Sequence, residues 1–385
     1  MNEWKEFLIE DLAEFCNAKR VPLSSMQRQQ LQGSYPYYGA SGIVDYVNDY
    51  IFEGSHVLIS EDGENLKSRN TPIAFEASGK FWVNNHAHIL KAKEPHLTKI
   101  LIHYFAQLDL TPYLTGAVQP KLNKATLSKI PLYLPSSTAE QKAIASVLSS
   151  LDDKIDLLHR QNKTLEAMAE TLFRQWFIEE AKEDWEIFQL QDLAKLQIGR
   201  TPPRKESHWF SDNTNDMKWV SIKDLGAHGI FVTYSSEYLP ISTIDHFNIP
   251  IIPEGTVMLS FKMTVGRVGI AIENMVSNEA IAQFQIKKRL TSELLYCFLK
   301  QFNFDTLGST SSIVTAVNTA LLKGIEIALP EDDLIQEFTE QVKSYFDKVK
   351  ANQLQIQTLE NLRDTLLPKL MSGEVRVQYQ TEEVA

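Results

Sequence analysis

The most regular feature of the chain is a seven-residue repeat of apolar positions in two segments that lie far apart in the sequence. In 136–184 the repeating sets are Ile144, Leu151, Leu158, Leu165 and Leu172, and Leu148, Ile155, Asn162, Ala169 and Trp176. In 331–375 they are Phe338, Tyr345, Asn352, Leu359 and Leu366, and Val342, Val349, Ile356, Arg363 and Leu370. A repeat of this length is typical of a coiled coil. It predicts two long helices that pair with each other, the alternative being that each helix lies on its own domain.

An antiparallel pairing of these helices gives a consistent register. It sets the following residues opposite each other: Asn162 and Asn352, Ala169 and Tyr345, Trp176 and Phe338. Two facing amides can hydrogen-bond each other, and a single polar layer in an apolar seam fixes the register. Arg363 opposite Leu151 is the mismatch. We expect Leu362 to turn inward there while the stem of the arginine lies along the surface.

The segments outside these helices have a different pattern, with short apolar runs broken by Gly, Pro and Asn. Residues 1–135 contain "HVLIS", "PIAFEA" and "KFWVNN", and then the helical pattern "TKILIHYFAQL". Residues 185–330 contain "MKWVSI", "GTVMLSF", "VGIAIE" and "AQFQI", and then the helical "TSELLYCFLKQF". Such runs predict strands. Each segment is therefore expected to form a globular domain of the mixed α/β (α+β) class.

The chain repeats itself at the ends of its two halves. "WKEFLIEDLAEF" from Trp4 matches "WEIFQLQDLAKL" from Trp185, and "LNKATLSKIPLYLP" matches "VNTALLKGIEIALP". The helical phrase "KTLEAMAETLFRQWF" returns as "QTLENLRDTLLPKLM", and "NNHAH" (84–88) aligns with "SNEAI" (277–281), which pairs Asn85 with Asn278. The middles of the two halves differ in length and content. This pattern predicts a shared scaffold that carries two different surfaces, related by a pseudo-two-fold internal repeat.

Five segments follow from this repeat. We expect a first domain at 1–135, a central spacer helix at 136–184, a second domain at 185–330, a C-terminal spacer helix at 331–375 and a tail at 376–385. The two helices would form an antiparallel coiled coil that separates the two globular domains.

Composition and charge exclude some classes of protein but do not indicate a function. The chain has 385 residues, two cysteines and a net charge of −11. Most of the excess acid lies in the two helical segments, so a nearly neutral globular domain could still present a basic face to DNA. The cysteine count does not support a disulfide framework, the first residues do not resemble a signal peptide, and no apolar run is long enough to cross a bilayer. We therefore expect a cytoplasmic protein without a membrane partner.

Several longer motifs resemble a known family, the DNA-specificity subunits (HsdS) of type I restriction–modification systems. They are "PYYGASGIVDYVNDYIFEG" (36–54), "LISEDGENLKSRNTPIAFEASGKFWVNNHAHIL" (58–90), "TVGRVGIAI", "NEAIAQF" and "LPKLMSGEV". The resemblance covers almost the whole chain. It implies that the globular halves are target-recognition domains that read a bipartite, asymmetric target in double-stranded DNA. It also implies a non-catalytic subunit that recruits two methyltransferase subunits and, for cleavage, two translocating nuclease subunits.

Polar and aromatic loops supply the candidate DNA contacts, because amides suit adenine, Arg and Lys suit guanine, and cations suit phosphates. The candidates in the first domain are Tyr35, Tyr37, Tyr38, Ser41, Asn65, Lys67, Arg69, Gln119, Lys121, Asn123 and Lys124. Those in the second domain are Arg200, Arg204, Lys205, Lys262, Thr264, Arg267, Ser309, Ser311 and Asn318. The position that "NNHAH" shares with "SNEAI" favours a structural role for Asn85.

Two other classes of protein remain as alternatives. A standalone DNA-modifying enzyme would need a methyl-donor loop or a phosphate-binding loop, and "NIPI" and "EASGKF" are poor matches to such motifs. A DNA-independent coiled-coil adaptor would fit the acidic balance but not the divergent middles. His86 and His88 lack a further ligand cluster and have no counterpart in the second half, so neither a metal nor a cofactor is expected.

Overall fold

The computed structural model describes residues 4–116, 119–227, 229–307 and 317–377, which form two compact units. The first unit takes in Met1–Lys154 and Leu359–Ala385, and the second takes in Ile155–Thr358. None of the helices described within these ranges is both long enough and apolar enough to cross a membrane.

The strands of the first unit are β1 (Trp4–Leu8), β2 (Ala13–Phe15), β3 (Gln32–Gly39), β4 (Gly42–Val47), β5 (Phe52–Glu53), β6 (His56–Ser60), β7 (Ala74–Ala77), β8 (Lys80–Val83), β9 (Ala87–Ala92) and β10 (Pro131–Pro135). Those of the second are β11 (Glu186–Gln189), β12 (Ala194–Ile198), β13 (Met217–Val220), β14 (Phe231–Val232), β15 (Glu237–Leu239), β16 (Val257–Ser260), β17 (Val268–Ala271), β18 (Val276–Ser277), β19 (Ile281–Ile286) and β20 (Glu326–Leu329).

The helices are α1 (Ile9–Leu12), α2 (Ser25–Gln30), α3 (Asn65–Ser68), α4 (Pro95–Gln107), α5 (Lys124–Ser128), α6 (Thr138–Arg174), α7 (Leu190–Leu193), α8 (Ile222–Ala227), α9 (Ile241–Phe247), α10 (Ser292–Gln301), α11 (Thr319–Lys323) and α12 (Asp332–Ser372). A π-helical turn, Gln175–Glu179, follows α6. The mixed α/β class and the two long helices expected from the sequence are confirmed.

The first unit is built on two four-stranded sheets. One has the order β2-β9-β6-β7 and the other the order β4-β3-β8-β5, while β1 and β10 form a separate antiparallel pair. Strand β6 is buried along its whole length, and its apolar side chains pack with those of α4 in one core and with Phe52 and Phe81 in another. The apolar run "HVLIS" is therefore a central strand that is covered on both faces.

The second unit repeats this arrangement with different additions. One sheet has the order β12-β19-β16-β17-β14, the other the order β15-β13-β18, and β11 pairs with β20. Strands β16 and β19 occupy the places that β6 and β9 hold in the first unit, since each pair is antiparallel and central in its sheet. The segment between β13 and β16 contains α8, β14, β15 and α9, whereas β3 turns directly into β4. The frame is thus shared and the insert is not.

The structure corrects the alignment of the two halves by one residue. The amide of Asn84 donates to the carbonyl of Tyr38, and the amide of Asn278 donates to the carbonyl of Val220, each across a parallel strand pair. The side-chain oxygen of Asn84 accepts from the amide two residues on, and so does that of Asn278. The structural partner of Asn278 is therefore Asn84, and the expected pairing with Asn85 is wrong. Inserts of different length change the numbering offset between the two halves, so the letters alone gave an alignment that is one residue out.

Segments of α6 and α12 pack against each other in an antiparallel manner within each unit. In the second unit, Nδ2 of Asn352 donates to Oδ1 of Asn162 at 2.8 Å, and the rings of Trp176 and Phe338 lie 6.0 Å apart. Ala169 and Tyr345 belong to the same apolar cluster. In the first unit the buried side chains of this seam are Ile144, Leu148, Leu367 and Leu370. The fold is that of two globular domains with an antiparallel pair of long helices.

Arg363 does not leave the helix seam as the sequence suggested. Its Nη1 lies 3.3 Å from a carboxylate oxygen of Asp152, whose other oxygen is 2.8 Å from Nε2 of His103. Leu362 is 44% exposed, so the expectation that it turns inward is wrong. The nearby carboxylate gives the guanidinium a partner, and the arginine therefore keeps the seam position.

The two cysteines lie in different surroundings. Cys297 is fully buried in α10 among the apolar side chains of the second unit, and burial raises the pKa of its thiol well above the ordinary value. Cys16 follows β2 in the first unit and is only partly buried.

Candidate nucleic-acid interface

Four loops of the first unit meet at one end of its central sheet. The hydroxyl of Ser60, at the end of β6, donates to the carbonyl of Ala40 in the turn between β3 and β4, at 2.6 Å. The amide of Glu61 donates to the carbonyl of His86, and the amide of Leu122 donates to the carbonyl of Glu61. We call this surface loop end 1 and define it as residues 40–41, 61–69, 84–86 and 119–121. It brings together loops that contain most of the contact residues predicted for the first domain.

An ionic network centred on Glu61 holds loop end 1 in place. Its carboxylate lies 2.6 Å from Nη1 of Arg20, 3.6 Å from Nζ of Lys121 and 3.7 Å from Nδ1 of His88. The same Arg20 nitrogen donates to the carbonyls of Asn85 and Ala87. One partly buried cluster of charges therefore ties the loop after β6 to the turn before β9 and to the loop before α5.

The protonation of this network follows from its geometry. Nε2 of the buried His88 lies 2.7 Å from the carbonyl oxygen of Leu122, which can only accept, so Nε2 carries the proton. Nδ1 accepts from Nδ2 of Asn17 at 2.8 Å. Burial lowers the pKa of His88 and keeps the ring neutral. Burial alone would raise the pKa of Glu61, but the cationic neighbours outweigh it and the pKa is lowered.

The predicted tyrosines of the first unit mainly build the frame of loop end 1. Tyr37 is 1% exposed, and its hydroxyl accepts from the amide of Leu23 at 2.9 Å. Tyr38 packs edge-on against Phe81, and burial raises the pKa of its hydroxyl. Tyr35 lies outside loop end 1, and its ring packs at a tilt against that of Tyr50, with the ring centres 5.2 Å apart, while Ser41 is exposed at the hairpin turn.

The three polar residues predicted in the loop after β6 have different surroundings. Arg69, at φ +50°, donates to the carbonyls of Ala106, Phe105 and Leu108 at the end of α4. The side chain of Asn65 makes two hydrogen bonds with the backbone of Thr71. Lys67 is exposed, and its side chain has no partner in the described part of the chain. Only Lys67 of the three therefore has free hydrogen-bonding groups at the surface.

The loop before α5 shows the same division of roles. Gln119 and Lys121 are exposed in loop end 1, whereas Asn123 is the N-cap of α5 and accepts from the amide of Thr126 at 2.9 Å. Lys124 lies outside loop end 1, with its Nζ 5.3 Å from the ring centre of Phe15.

The corresponding surface of the second unit is a hairpin in which residues 261–267 join β16 to β17. The amide of Ser260 donates to the carbonyl of Arg267, and the amide of Gly266 donates to the carbonyl of Ser260. Phe261 is 2% exposed, and its amide donates to the carbonyl of Ala280. We call residues 199–201, 261–267 and 278–280 loop end 2. An aromatic side chain anchors it at the position where Glu61 anchors loop end 1.

The tip of this hairpin points into solvent. Lys262, Met263 and Thr264 are all exposed, and Met263 is 96% exposed with φ +60°. Arg267, at the base, turns away and donates from Nη1 to the carbonyl of Ile222 at 2.7 Å. Met263 did not stand out in the sequence, because a left-handed backbone angle at a residue other than glycine has no clear sequence signal.

The remaining candidates of the second unit lie beside this hairpin or on other elements. Nη1 of Arg200 donates to the carbonyl of Phe247 at 2.8 Å. Arg204 stacks on the rings of Phe210 and Trp219, at 4.5 and 4.4 Å, and pairs with Glu237 at 2.5 Å. Lys205 is exposed, and its side chain has no partner among the described residues.

The last predicted candidates belong to the segment before α11. Asn318 is the N-cap of that helix, and its side chain accepts from the amide of Leu321 at 3.0 Å. Asn123 and Asn318 therefore cap equivalent helices at matching positions of the two halves. Ser309 and Ser311 lie outside the described residues.

The chemistry of both loop ends is that of a binding surface. Within residues 4–116, 119–227, 229–307 and 317–377, no three His, Cys, Asp or Glu side chains are placed to hold a metal ion. The exposed groups of the loop ends include amides, hydroxyls, ammonium groups, the guanidinium of Arg200 and one thioether, which can hydrogen-bond to and pack on a polar ligand. The imidazole of His86 and the carboxylates of Glu64 and Glu279 are exposed there as well.

Comparison with known families identifies what this architecture resembles. The model of the type I restriction modification DNA specificity domain matches the chain twice, over residues 1–167 and 182–361. The two matches together cover most of the chain and fall on its two halves, in agreement with the internal repeat.

Individual relatives point the same way. The type I restriction enzyme MjaIX specificity subunit of Methanocaldococcus jannaschii is 24% identical over 98% of this chain and 94% of its own length. A putative type I restriction enzyme specificity subunit of Haemophilus influenzae, S.HindORF215P, is 40% identical, but over only 39% of this chain and 37% of its own length. The crystal structure of the S subunit of a type I restriction–modification system from M. genitalium has the same fold, with a TM-score of 0.60, 14% identity and coverage of 99% of this chain and 97% of that one.

Proposed function

Because the chain belongs to the family of type I restriction–modification specificity proteins, we propose that it is the sequence-specific DNA-binding subunit of such a system. Each globular domain reads one half of a bipartite, asymmetric target in double-stranded DNA. The observation that carries this proposal is that one frame supports two different loop ends. The shared frame holds a loop end at the same position in each domain. Because the loops differ, the two domains would read different base sequences, which gives an asymmetric target.

The subunit itself is non-catalytic in this proposal. It recruits two methyltransferase subunits and, for cleavage, two translocating nuclease subunits. Their docking surfaces are the acidic outer positions of α6 and α12. The boundaries expected from the sequence serve as the working division: 1–135 and 185–330 for the two recognition domains, 136–184 and 331–375 for the spacer helices, and 376–385 for the tail.

The surroundings of the predicted contact residues divide them into two groups. We assign DNA contacts to the exposed members of the loop ends, together with Lys205 beside loop end 2; these are Ser41, Lys67, Gln119, Lys121, Arg200, Lys205, Lys262 and Thr264. Lys121 and Arg200 are exposed and also have partners in the protein, Glu61 and the carbonyl of Phe247. We assign supporting roles to side chains that are engaged within the protein, namely Tyr35, Tyr37, Tyr38, Asn65, Arg69, Asn123, Lys124, Arg204, Arg267 and Asn318.

The direct test is a methylome of the host with the gene present or deleted. The proposal expects a split motif, two short specified parts around an unspecified gap, that loses its methylation in the deletion strain. An unchanged methylome would reject the proposal and favour a DNA-independent adaptor. A standalone enzyme would instead modify DNA without the methyltransferase partner, which a purified-component methylation assay detects.

A matched pair of lysine variants tests the location of the interface. Lys262 lies in loop end 2, and Lys288 is an exposed lysine just beyond the opposite end of β19. In complex with the methyltransferase, K262A is expected to weaken DNA binding and to reduce the salt slope of log K by about one, because each phosphate contact releases a counterion. K288A is expected to leave both unchanged. Equal effects of the two variants would place the interface elsewhere.

A further inference from the structure

The tip of loop end 2 exposes an apolar side chain in a disfavoured backbone conformation. Met263 has the largest exposed fraction of any large apolar side chain in the described part of the chain, 96%. Its φ of +60° lies in the left-handed region, which residues with a Cβ rarely adopt. Single exposed apolar residues are common. An exposed apolar residue with a left-handed backbone conformation is uncommon. Such a conformation persists where the surrounding structure imposes it, and it is typical of functional sites.

The hairpin beneath Met263 is rigidly held. The hydroxyl of Ser260 donates to the carbonyl of Thr264 at 2.6 Å and accepts from the amide of Arg267 at 3.0 Å, which closes the base of the loop. Phe261 fixes the same base in the apolar core, and Arg267 ties it to the start of α8. The methionine is therefore presented in a fixed place by a preorganised support, so little backbone order has to be gained on binding.

The charge around the tip suits a polyanion. The loop "FKMTVGR" contains two cations and no acid, and the ammonium group of Lys262, next to Met263, is exposed. Glu279, the carboxylate of loop end 2, is hydrogen-bonded to the hydroxyl of Thr201. Loop end 1 instead contains Glu61, Asp62 and Glu64 in the equivalent loop. The Nζ of Lys262 lies 5.4 Å from the ring centre of Phe261 and stays at the surface. An apolar tip beside an exposed cation is the combination that proteins use to insert a side chain between base pairs while binding the adjacent phosphate.

We propose that Met263 inserts between two adjacent base pairs of the half-target read by the second domain, with Lys262 on the neighbouring phosphate. The inference rests on the proposed function and deepens it. It gives the second domain a specificity device that has no counterpart among the described residues of loop end 1, because the cost of unstacking depends on the base-pair step that is opened.

The experiment uses the full chain in complex with its methyltransferase and duplexes that carry the target found in the methylome. 2-Aminopurine replaces, in turn, each adenine of the second half-target that is not itself methylated, so that flipping of the methylated base does not contribute. The wild-type complex is expected to raise the fluorescence at one step. M263A is expected to abolish that rise and to weaken binding about tenfold or more, since the variant lacks the apolar side chain that becomes buried between base pairs in the proposed complex.

Three further variants make the result specific. M263L should keep the fluorescence rise, since leucine also serves as an apolar wedge. M263G should show the same or a higher Tm, because glycine adopts positive φ without strain, and yet bind DNA as poorly as M263A. M26A removes a methionine that is 74% exposed in the first unit, and it should leave the signal in the second half-target unchanged.

The outcomes separate the two proposals. If the wild-type complex selects its target but M263A binds equally well, the insertion is wrong and the proposed function stands. If M263A weakens binding but no step brightens in the wild-type complex, Met263 packs in a groove and the insertion is also wrong. If the wild-type complex selects no sequence at all, the proposed function fails and the insertion fails with it.

Discussion

The loop after β6 and the loop after β16 start from matching strand positions but are held by different chemistry. Glu61 anchors the first loop through its cationic neighbours Arg20 and Lys121 and the ring of His88. Phe261, which takes the matching position in the second unit, is buried and anchors the other loop through apolar contact. An ionic anchor depends on several partners from distant parts of the chain, whereas an aromatic anchor needs only a pocket. One frame can therefore carry recognition loops whose stability responds to different conditions.

The largest expected effect is the removal of the aromatic anchor. F261A should destabilise the second unit by about 3–5 kcal/mol, because a fully buried phenyl ring is replaced by a cavity. Urea unfolding followed by hydrogen exchange of β16 and β19 measures it. F261L keeps most of the apolar volume and should cost much less. A loss below about 1 kcal/mol in F261A would show that the hairpin does not depend on this ring.

The ionic anchor should have a smaller effect. E61Q is expected to cost about 2 kcal/mol, because Arg20, Lys121 and His88 lose their charged partner in a partly buried site. E64Q changes an exposed carboxylate in the same loop and should stay within about 0.5 kcal/mol of the wild type. The measurement is thermal unfolding of the full chain, and equal shifts for the two variants would contradict the role of Glu61.

Acidification should lower the stability of the first unit more than that of the second, and this difference should be smaller than the effects above. Burial lowers the pKa of His56 and of His88 below the ordinary value of 6.5, so the unfolded chain takes up protons first as the pH falls. Their contribution is complete above pH 6.5 and is lost as the pH falls through the lowered values. Glu61, whose pKa lies below its ordinary 4.5, acts in the same direction only at lower pH.

In the second unit the acid Glu170 works in the opposite direction, because burial raises its pKa and its contribution to stability falls as the pH rises. Hydrogen exchange, corrected for the intrinsic pH dependence, should therefore show that β9 loses more protection than β19 between about pH 7 and about pH 5. Equal losses in the two strands would contradict the stabilising role of the buried, neutral rings of His56 and His88.

The smallest expected effects are losses of stability on removal of a helix cap, and they should be equal in the two units. Asn123 and Asn318 cap α5 and α11 in the same way, so N123A and N318A should each cost about 1 kcal/mol. N123S and N318S should recover most of that loss, since serine also caps helices. If N123A weakened DNA binding without lowering Tm, Asn123 would be a DNA contact and not a shared cap.

The frame was predictable from the sequence because it rests on periodic patterns. The heptad positions of α6 and α12, and the amide layer of Asn162 and Asn352, depend on spacing alone. The repeat of "LNKATLSKIPLYLP" likewise placed Asn123 and Asn318 at equivalent positions. Periodicity survives insertions elsewhere in the chain, so these features needed no knowledge of the tertiary contacts.

The surroundings of individual loop residues were not predictable in the same way. Arg69 and Arg267 lie in polar loops, yet each guanidinium donates to backbone carbonyls of a helix that is distant in the sequence. Which partner an arginine finds depends on where the fold brings a free carbonyl. The one-residue error at Asn85 has a related cause, because aligning two halves by letters cannot place insertions that only strand pairing reveals.

The unequal burial of the two cysteines has a practical consequence for spectroscopy. With its thiol shielded in α10, Cys297 should not react with maleimide dyes in the folded chain, whereas Cys16 remains within reach. A single fluorophore could therefore be attached to the first unit of the natural chain without engineering. It would sit beside β9, the strand that follows loop end 1, because the amide of Cys16 donates to the carbonyl of Ile89. Its emission would then report on one recognition domain while the other stays unlabelled.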